Sequence, residues 1–273
     1  MRVLTWNVWW RFGPWRQRRD AIMTTLAELD CDLIGLQEVW AEGEDNLAGW
    51  LAARLGLHWT WTASDRPGRW HERVGEATAD VGLAVLSRWP LAGRTTLRLP
   101  TEGGQDDGHQ ALHALVDAPA GPVPFFTTHL NSRPFESAVR CAQVTALARF
   151  VAAHRGRGGF PAVVTGDFNA LPDSDEMRLF GGHRTAPAVP GQVLVDAWAY
   201  ADPAAPAVTW DNANPYAALP HEPPGRIDYI HVGRHGPGGL GRVLSVRRVG
   251  DRPVGGVWPS DHAAVLADLA GEV

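Results

Sequence analysis

The sequence contains no lysine, since all 25 of its basic residues are arginine. Without lysine the chain cannot form a Schiff base with a carbonyl substrate or use a serine–lysine pair as a nucleophile. It also cannot build the lysine-containing phosphate loop of nucleoside triphosphatases. The absence of this one residue type therefore excludes several classes of enzyme.

Cysteine is scarce, with only Cys31 and Cys141 in the chain. Two thiols cannot build a disulfide framework or a four-thiolate zinc site, and we expect both to be small hydrophobic residues of the interior. This cysteine usage fits a reducing compartment, and the first residues lack the pattern of a signal peptide, so we expect a cytoplasmic protein. No run of about 18 apolar residues occurs, and we therefore predict no transmembrane segment.

Excess positive charge is also absent, because 30 acidic residues against 25 basic ones leave a formal net charge of −5. A nuclease that works along a polymer needs a continuous surface that neutralises phosphates, and this balance does not support one. No change in composition, linker or repeat divides the 273 residues, so we predict a single domain over residues 1–273. No feature of the sequence indicates an obligate protein partner.

Strand patterns dominate what is present, and helical patterns interrupt them at two places. A helix is predicted where Ile22, Leu26 and Leu29 recur at helical spacing, and a second helix over residues 134–153. Strands are predicted at residues 2–9, 33–36, 59–62, 81–86, 95–99, 112–117, 123–128, 161–165, 227–232, 241–249 and 263–269. Several consecutive strands without helices indicate hairpins, so we expect an α/β protein with mixed sheets.

Polar side chains stand at the ends of these predicted strands. They are Asn7, Glu38, His129, Asn131, Asp167, Asn169, Asp228, Asp261 and His262. A single carboxylate at a strand end usually serves a turn or a cap, but so many in one chain favour a converging site. The sequence therefore predicts an active site at one edge of the sheets.

The residues around these positions resemble the ordered motifs of the endonuclease/exonuclease/phosphatase superfamily. The matching segments are Thr5-Trp6-Asn7-Val8, Ile34-Gly35-Leu36-Gln37-Glu38-Val39, Thr128-His129-Leu130-Asn131, Gly166-Asp167-Phe168-Asn169, Arg226-Ile227-Asp228-Tyr229-Ile230 and Ser260-Asp261-His262. The resemblance implies a four-layer α/β sandwich, with two mixed β-sheets packed face to face and flanked by helices. It also implies a hydrolase that acts on phosphoester bonds with Mg²⁺, for which Mn²⁺ could substitute.

The resemblance implies a role for each polar residue. Glu38 would anchor the metal, with Asn7 and Asp261 supporting the same ion or its waters. Asp167 would orient or deprotonate the attacking water, and Asn169 would donate a hydrogen bond to the transition state. His262, oriented by Asp228, would contact the phosphoryl oxygens, and His129 would bind phosphate or protonate the leaving group. Either Glu76 or Asp80 could orient His129.

The substrate is less well defined by the sequence. Asn131, Arg133 and Trp10 are candidate substrate-binding residues, although Asn131 could instead cap the following turn. Diesters, monoesters and triesters all fit the motifs, as do one or two metal ions. The net charge favours a small or lipid-derived phosphodiester. The alternatives are a DNA or RNA nuclease, for which Trp9 in place of the acidic or amide residue of repair enzymes is unfavourable, and a catalytically silent binding module.

Overall fold

Two mixed β-sheets form the centre of the computed structural model, which describes residues 1–75, 78–101, 106–156, 159–218 and 222–271. The strands of the first sheet are β1 (Arg2–Asn7), β2 (Leu33–Glu42), β3 (Asp45–Asn46), β4 (His58–Ala63), β5 (Asp80–Ser87), β12 (Val243–Val249) and β13 (Ala264–Leu269). They lie in the order β12, β13, β1, β2, β5 and β4, and β3 pairs with β2. This sheet therefore joins the two ends of the described chain.

The second sheet is built from the middle of the chain. Its strands are β6 (Leu91–Arg98), β7 (Gln110–Ala118), β8 (Gly121–His129), β9 (Val163–Asp167), β10 (Leu194–Asp196) and β11 (Asp228–Gly233). They lie in the order β10, β11, β9, β8, β7 and β6. β1 pairs with β2 and β8 with β9 in parallel, and the remaining pairs are antiparallel, which confirms the prediction of mixed sheets.

Helices cover the outer faces of both sheets. The described helices are α1 (Trp15–Leu29), α2 (Leu47–Leu55), α3 (Gly68–Val74), α4 (Ser137–His154) and α5 (Asp175–Gly181). One apolar cluster joins α1 and α2 to the first sheet, a second fills the space between the sheets, and a third joins α4 and α5 to the second sheet. The molecule is thus an α/β sandwich of four layers, as the resemblance implies. No described helix is long and apolar enough to cross a membrane.

Several short elements escape the sequence patterns. The helices α2, α3 and α5 and the three-residue strand β10 lie where no helix or strand is predicted, and β2 continues to Glu42 beyond the predicted end at Leu36. The longer patterns are reproduced more closely, since the helix predicted over 134–153 becomes Ser137–His154. Both thiols are free; Cys31 is buried, as expected, whereas Cys141 is only half-buried.

Candidate active site

The strand register brings three of the predicted site residues side by side. In the second sheet Asp167, at the end of β9, is the ladder partner of both His129 on β8 and Asp228 on β11. In the first sheet Asn7 ends β1 next to Gln37 on β2. Because both sheets end at the same edge of the sandwich, side chains from separate parts of the sequence converge there.

Glu38 reaches this edge through an irregularity in β2. The ladder between β2 and β5 shifts register between Leu36 and Val39, and Glu38 lies in the left-handed region with φ of 54°. Such a bulge changes the direction of a side chain that a regular strand would place elsewhere. One carboxylate oxygen, Oε2, is buried and has no hydrogen-bond partner among the described residues.

Asn7 links two carboxylates of the cluster. Its Nδ2 donates to Asp167 Oδ2 at 3.0 Å and lies 3.4 Å from Glu38 Oε1, while its Oδ1 accepts a hydrogen bond from the Trp9 backbone N–H at 3.0 Å. The side chain is 1% exposed. In this arrangement the amide nitrogen faces the carboxylates, so Asn7 positions them, and its role as a metal ligand stays a prediction.

His262 is in contact with Asp228. The imidazole Nδ1 lies 2.9 Å from Asp228 Oδ2, and Nε2 lies 3.7 Å from Asp167 Oδ2. Burial opposes protonation of His262, but the carboxylates of Asp228, Asp167 and Asp261 outweigh it, so its pKa is raised well above the ordinary value. The imidazole is therefore cationic at neutral pH and has an N–H to offer a phosphoryl oxygen.

Burial raises the pKa values of two aspartates in the cluster. Burial raises the pKa of Asp167 to about 7, with His262 opposing this and Asp228 adding to it. Burial likewise raises the pKa of Asp261 to about 7, again against His262, and Glu38 adds to the effect. Burial disfavours the charged form of a carboxyl group, and a neighbouring carboxylate disfavours it further. Asp167 thus titrates near the pH at which a general base works best.

His129 lies on the other side of Asp167. Its Nε2 is 3.5 Å from Asp167 Oδ2 and 4.0 Å from Glu38 Oε1. Burial, with further contributions from Arg69 and His262, lowers the pKa of the His129 imidazole to about 3, so the ring is neutral at neutral pH. A neutral ring favours a hydrogen-bonding role over that of a proton donor to the leaving group.

Neither Glu76 nor Asp80, the two candidates from the sequence, has a described contact with the His129 ring. Asp80 is exposed on β5 and its backbone carbonyl accepts from Trp10 Nε1, whereas Glu76 lies outside the described residues. The described carboxylates that approach the His129 ring are those of Glu38 and Asp167.

The cluster has the properties of a cation site. The oxygens Glu38 Oε2 and Asp228 Oδ1 are buried and have no partner among the described residues, and buried anions without partners are costly. One ligand atom from each of Asp167, Asp228 and His262 also lies within 4.8 Å of the others, but His262 is paired with Asp228 and its cationic ring does not bind a metal, so the carboxylates are the donors of this site. Carboxylate oxygens are the ligands that Mg²⁺ prefers, so the donor set fits a divalent cation.

The carboxamides of two predicted polar residues make hydrogen bonds in the loops that follow β8 and β9. Asn169 has φ of 49°, its backbone N–H donates to Asp167 Oδ1 at 2.9 Å, and its Nδ2 donates to the Leu130 carbonyl at 3.0 Å. Asn131 is completely buried, its Nδ2 donates to Glu136 at 2.8 Å, and its Oδ1 accepts from the Arg133 N–H. The carboxamide of Asn131 thus stabilises a turn, the alternative that the sequence left open.

The structure does not place Trp10 within reach of a substrate. The side chain is 1% exposed and packs in the apolar cluster between the first sheet and α1, with its indole N–H donating to the Asp80 carbonyl at 2.9 Å. Arg133, in contrast, keeps 38% of its side chain exposed beside the site. It lies 3.6 Å from Asp107, which is buried.

Sequence motifs missed the residues that surround His129. The Asp107 carboxylate forms ion pairs with Arg69 at 3.3 Å and with Arg133 at 3.6 Å. Arg69 also donates a hydrogen bond to Ser132 Oγ at 2.7 Å. His109 Nδ1 lies 3.0 Å from the His129 carbonyl. Asp107 and His109 belong to a Gly-rich stretch at residues 100–110, and a cluster of Asp, Gly and His in such a loop is the signal that could have identified them.

Comparisons of the sequence give a single family. A model of the Endonuclease/Exonuclease/phosphatase family matches residues 4–262. No curated protein gives a significant match to this chain.

Comparisons of the structure give the same fold. The human Nocturnin catalytic domain, solved with a bound sulfate anion, superposes with a TM-score of 0.74 at 21% identity, over 99% of this chain and 94% of that one. TDP2 from D. rerio, solved in complex with a single-strand DNA product, gives 0.75 at 18% identity, over 98% and 97% of the two chains. An endonuclease/exonuclease/phosphatase from Beutenbergia cavernae gives 0.70 at 24% identity, over 98% and 71%.

Proposed function

The chain belongs to the endonuclease/exonuclease/phosphatase family, and from this premise we propose that it hydrolyses a phosphodiester by in-line attack of a water that Asp167 activates, assisted by a divalent cation. Mg²⁺ is the proposed cation, and Mn²⁺ is its substitute. The observation that carries the proposal is the buried cluster in which Asp167 contacts Asn7 and lies within 3.7 Å of both His129 and His262.

Glu38 is the proposed principal metal ligand, supported by Asp261. Glu38 Oε2 is buried and has no partner among the described residues, whereas Asp228 Oδ2 lies 2.9 Å from His262 Nδ1. Asp261 is 5% exposed and lies close enough to Glu38 for the two carboxylates to repel. A bound divalent cation supplies the positive charge that a phosphoryl group requires in its transition state.

Asp167 is the proposed base. As the water oxygen bonds to phosphorus, one water proton passes to an oxygen of Asp167, and the bond to the leaving oxygen breaks. The leaving oxygen keeps the bonding electrons, departs as an anion and takes its proton from solvent water. Asn7 and the backbone N–H of Asn169 donate to the two oxygens of Asp167 at 3.0 and 2.9 Å, which fixes the orientation of the carboxylate. A base held in one orientation avoids the entropy cost of being positioned during the reaction.

The two histidines are proposed to bind the phosphoryl oxygens. His262, with its raised pKa, offers a cationic N–H, and the Asp228 carboxylate at 2.9 Å holds its ring in place. His129 offers a neutral N–H from the opposite side of Asp167. Donors that point from two sides at a developing negative charge stabilise it without reorganisation during the reaction.

A small or lipid-derived phosphodiester is the proposed substrate. The net charge of −5 supports this choice, because it provides no general attraction for a polyanion. Beside the site Asp107 lies within 3.6 Å of both Arg69 and Arg133, which partly offsets their positive charge. DNA or RNA is the second candidate, and the fold shared with a TDP2 solved in complex with a single-strand DNA product favours it.

A substrate panel tests the proposed function. The purified 273-residue chain with Mg²⁺ or Mn²⁺ is assayed against bis-p-nitrophenyl phosphate, p-nitrophenyl phosphate, sphingomyelin, plasmid DNA and RNA. We expect cleavage of the nitrophenyl diester, and slow or absent cleavage of plasmid. Failure to cleave any of these substrates with either metal would favour a catalytically silent binding module on the same fold.

A further inference from the structure

A cavity of about 240 Å³ lies on the outer face of the second sheet, away from the candidate active site. Its walls come from α5 and the loop after it, from β10 with the 3₁₀ turn Ala197–Tyr200, and from β11. Successive side chains of a strand point to opposite faces of the sheet. Asp228 therefore points to the active site. Tyr229 and His231 of the same strand point to the opposite face of the sheet, where both line the cavity.

The cavity carries uncompensated positive charge. The charged residues that line it are Arg178, Arg184, Arg226 and Asp196. Asp196 is already paired with Arg226, at 2.7 Å. Arg178 approaches Asp175 only to 3.9 Å, and that aspartate is 86% exposed, a type of pair that contributes little. Across the described chain no ion pair is formed by Arg184, so the positive charges of Arg178 and Arg184, which both line the cavity, have little compensation.

A buried imidazole is available at the inner wall. His231 is 2% exposed, and neither of its ring nitrogens has a hydrogen-bond partner among the described residues; Nδ1 is fully buried. The ring packs between Phe168, Phe180 and Tyr229, which hold it in place. Buried polar groups are usually hydrogen-bonded, so an imidazole without a partner beside a cavity indicates a missing partner.

The remaining wall is apolar and includes a flat aromatic surface. Trp198, Met177 and Leu194 line the cavity, and the guanidinium group of Arg226 lies over the Trp198 ring, 5.5 Å from its centroid. Ligand sites combine mainly apolar walls with a small number of placed polar groups. This cavity has that composition, and its volume suits a molecule smaller than a typical drug.

We propose that this cavity binds a small organic phosphomonoester, with its phosphate between Arg178 and Arg184 and its apolar part against Trp198. Two little-compensated cations match the charge of a phosphomonoester, which is close to −2 at pH 7, better than that of a carboxylate. Arginine also presents N–H groups in a geometry that suits phosphate oxygens. Nε2 of His231, the ring nitrogen that is not fully buried, supplies one hydrogen-bonding group to the rest of the ligand.

Calorimetric titration with phenyl phosphate tests the proposal. The full chain is used in EDTA, so that metal-dependent binding at the active site does not contribute. The test variants are Arg178→Gln combined with Arg184→Gln, and Ala199→Glu, which places a negative charge at an exposed position of the cavity wall. The matched control is Arg242→Gln, since Arg242 is exposed and does not line the cavity.

We expect one phenyl phosphate per chain, binding at least tenfold more weakly to both test variants and unchanged in Arg242→Gln. Inorganic phosphate and benzoate should both bind more weakly than phenyl phosphate, since one lacks the ring and the other the second charge. No binding to wild type at millimolar concentrations, unchanged binding to the double variant, or equal binding of benzoate would overturn the proposal. Unchanged melting temperatures of the variants establish that they are folded. Because the assay contains no metal and measures no turnover, its outcome is independent of the proposed function.

Discussion

Asp167 is the carboxyl group on which the proposed reaction depends, and its surroundings adjust both its position and its proton affinity. It is 1% exposed, receives hydrogen bonds from Asn7 and Asn169, and lies between two imidazoles. Burial raises its pKa to about 7, which lies close to the pH at which a general base is most effective.

Replacing Asp167 by asparagine removes the base but keeps the shape of the side chain. We expect kcat to fall by about 10²–10⁴, the usual range for loss of a general base, with little change in KM. Steady-state kinetics with a nitrophenyl diester measure this. The matched control is Asp173→Asn, an exposed aspartate of the following loop, which should leave kcat unchanged. A near-normal kcat in Asp167→Asn would require another residue to activate the water.

A second prediction at the residue scale concerns the effect of His231 on the pH dependence of stability. Burial lowers the pKa of its imidazole to about 4 in the folded protein, against 6.5 ordinarily. Between these values the unfolded chain binds a proton that the folded chain does not, so stability is lost as pH falls from 6.5 towards 4. At pH 5 this one group should cost about 2 kcal/mol.

Urea denaturation at pH 7 and pH 5 measures that loss. In His231→Phe the ring cannot titrate, and it retains aromatic neighbours, so the free energy of unfolding should fall by about 2 kcal/mol less than in wild type. An equal fall in both proteins would show that His231 is not the group responsible.

At the scale of elements, the two sheets are in close contact at Gly35, beneath the active site. A Cβ added to Gly35 on β2 would lie 2.1 Å from Thr165 Oγ1 and 3.0 Å from Thr127 Oγ1, both on the facing sheet. Gln37, two residues further along β2, donates to Thr127 Oγ1 at 2.8 Å. Gly35 therefore allows a polar contact between the sheets directly under the strand ends that carry Glu38 and Asp167.

Gly35→Ala should lower the free energy of unfolding by about 1–3 kcal/mol, because the added methyl group overpacks the interface between the sheets. Gly93→Ala on β6 is the control, since a Cβ there meets nothing within 4 Å, and it should change stability by less than about 0.5 kcal/mol. Chemical denaturation of both variants compares them. Equal stabilities would contradict the close packing.

The sequence predicts those elements whose local pattern agrees with their tertiary setting. The strand β5 and the helix α4 have long apolar patterns and lie within a few residues of their predicted ranges. The nine-residue helix α2 was missed, although Asn46 caps its N–H groups and Gly56 ends it in a left-handed conformation, which are recognisable signals. The strand β10 has only three residues and no pattern of its own.

The same distinction applies to the site. Strand-end motifs located Asp167, His129, Asp228 and His262, which the structure brings together. Trp10 was predicted to bind substrate, but its side chain is buried. Its position depends on a hydrogen bond to the Asp80 carbonyl, 70 residues away, and no local pattern contains that contact. No local pattern contains the contacts of Arg18 either. Its buried guanidinium group donates to the carbonyls of Val8, Trp9, Trp10, Phe12 and Pro259.

At the scale of the whole molecule, the charge distribution separates the two substrate classes. A nucleic-acid polymer makes several arginine–phosphate contacts that release counterions, so log(kcat/KM) should fall by close to one unit per contact for each unit of log[salt]. A small phosphodiester makes one or two such contacts. We expect a shallow slope with the preferred substrate. Rapid plasmid nicking with a slope of several units would replace the small-substrate proposal with a nuclease.

The central claim is that a divalent cation at Glu38 supports phosphodiester hydrolysis, and a metal titration of kcat with bis-p-nitrophenyl phosphate tests it most directly. The wild-type chain and Glu38→Ala are stripped with EDTA and then titrated with Mg²⁺. We predict no turnover in EDTA, full recovery in wild type, and a much higher Mg²⁺ concentration for half-maximal activity in Glu38→Ala, because the variant loses the buried carboxylate oxygen that has no hydrogen-bond partner among the described residues. Full activity of the wild type in excess EDTA, or the same Mg²⁺ dependence in both proteins, would contradict the account.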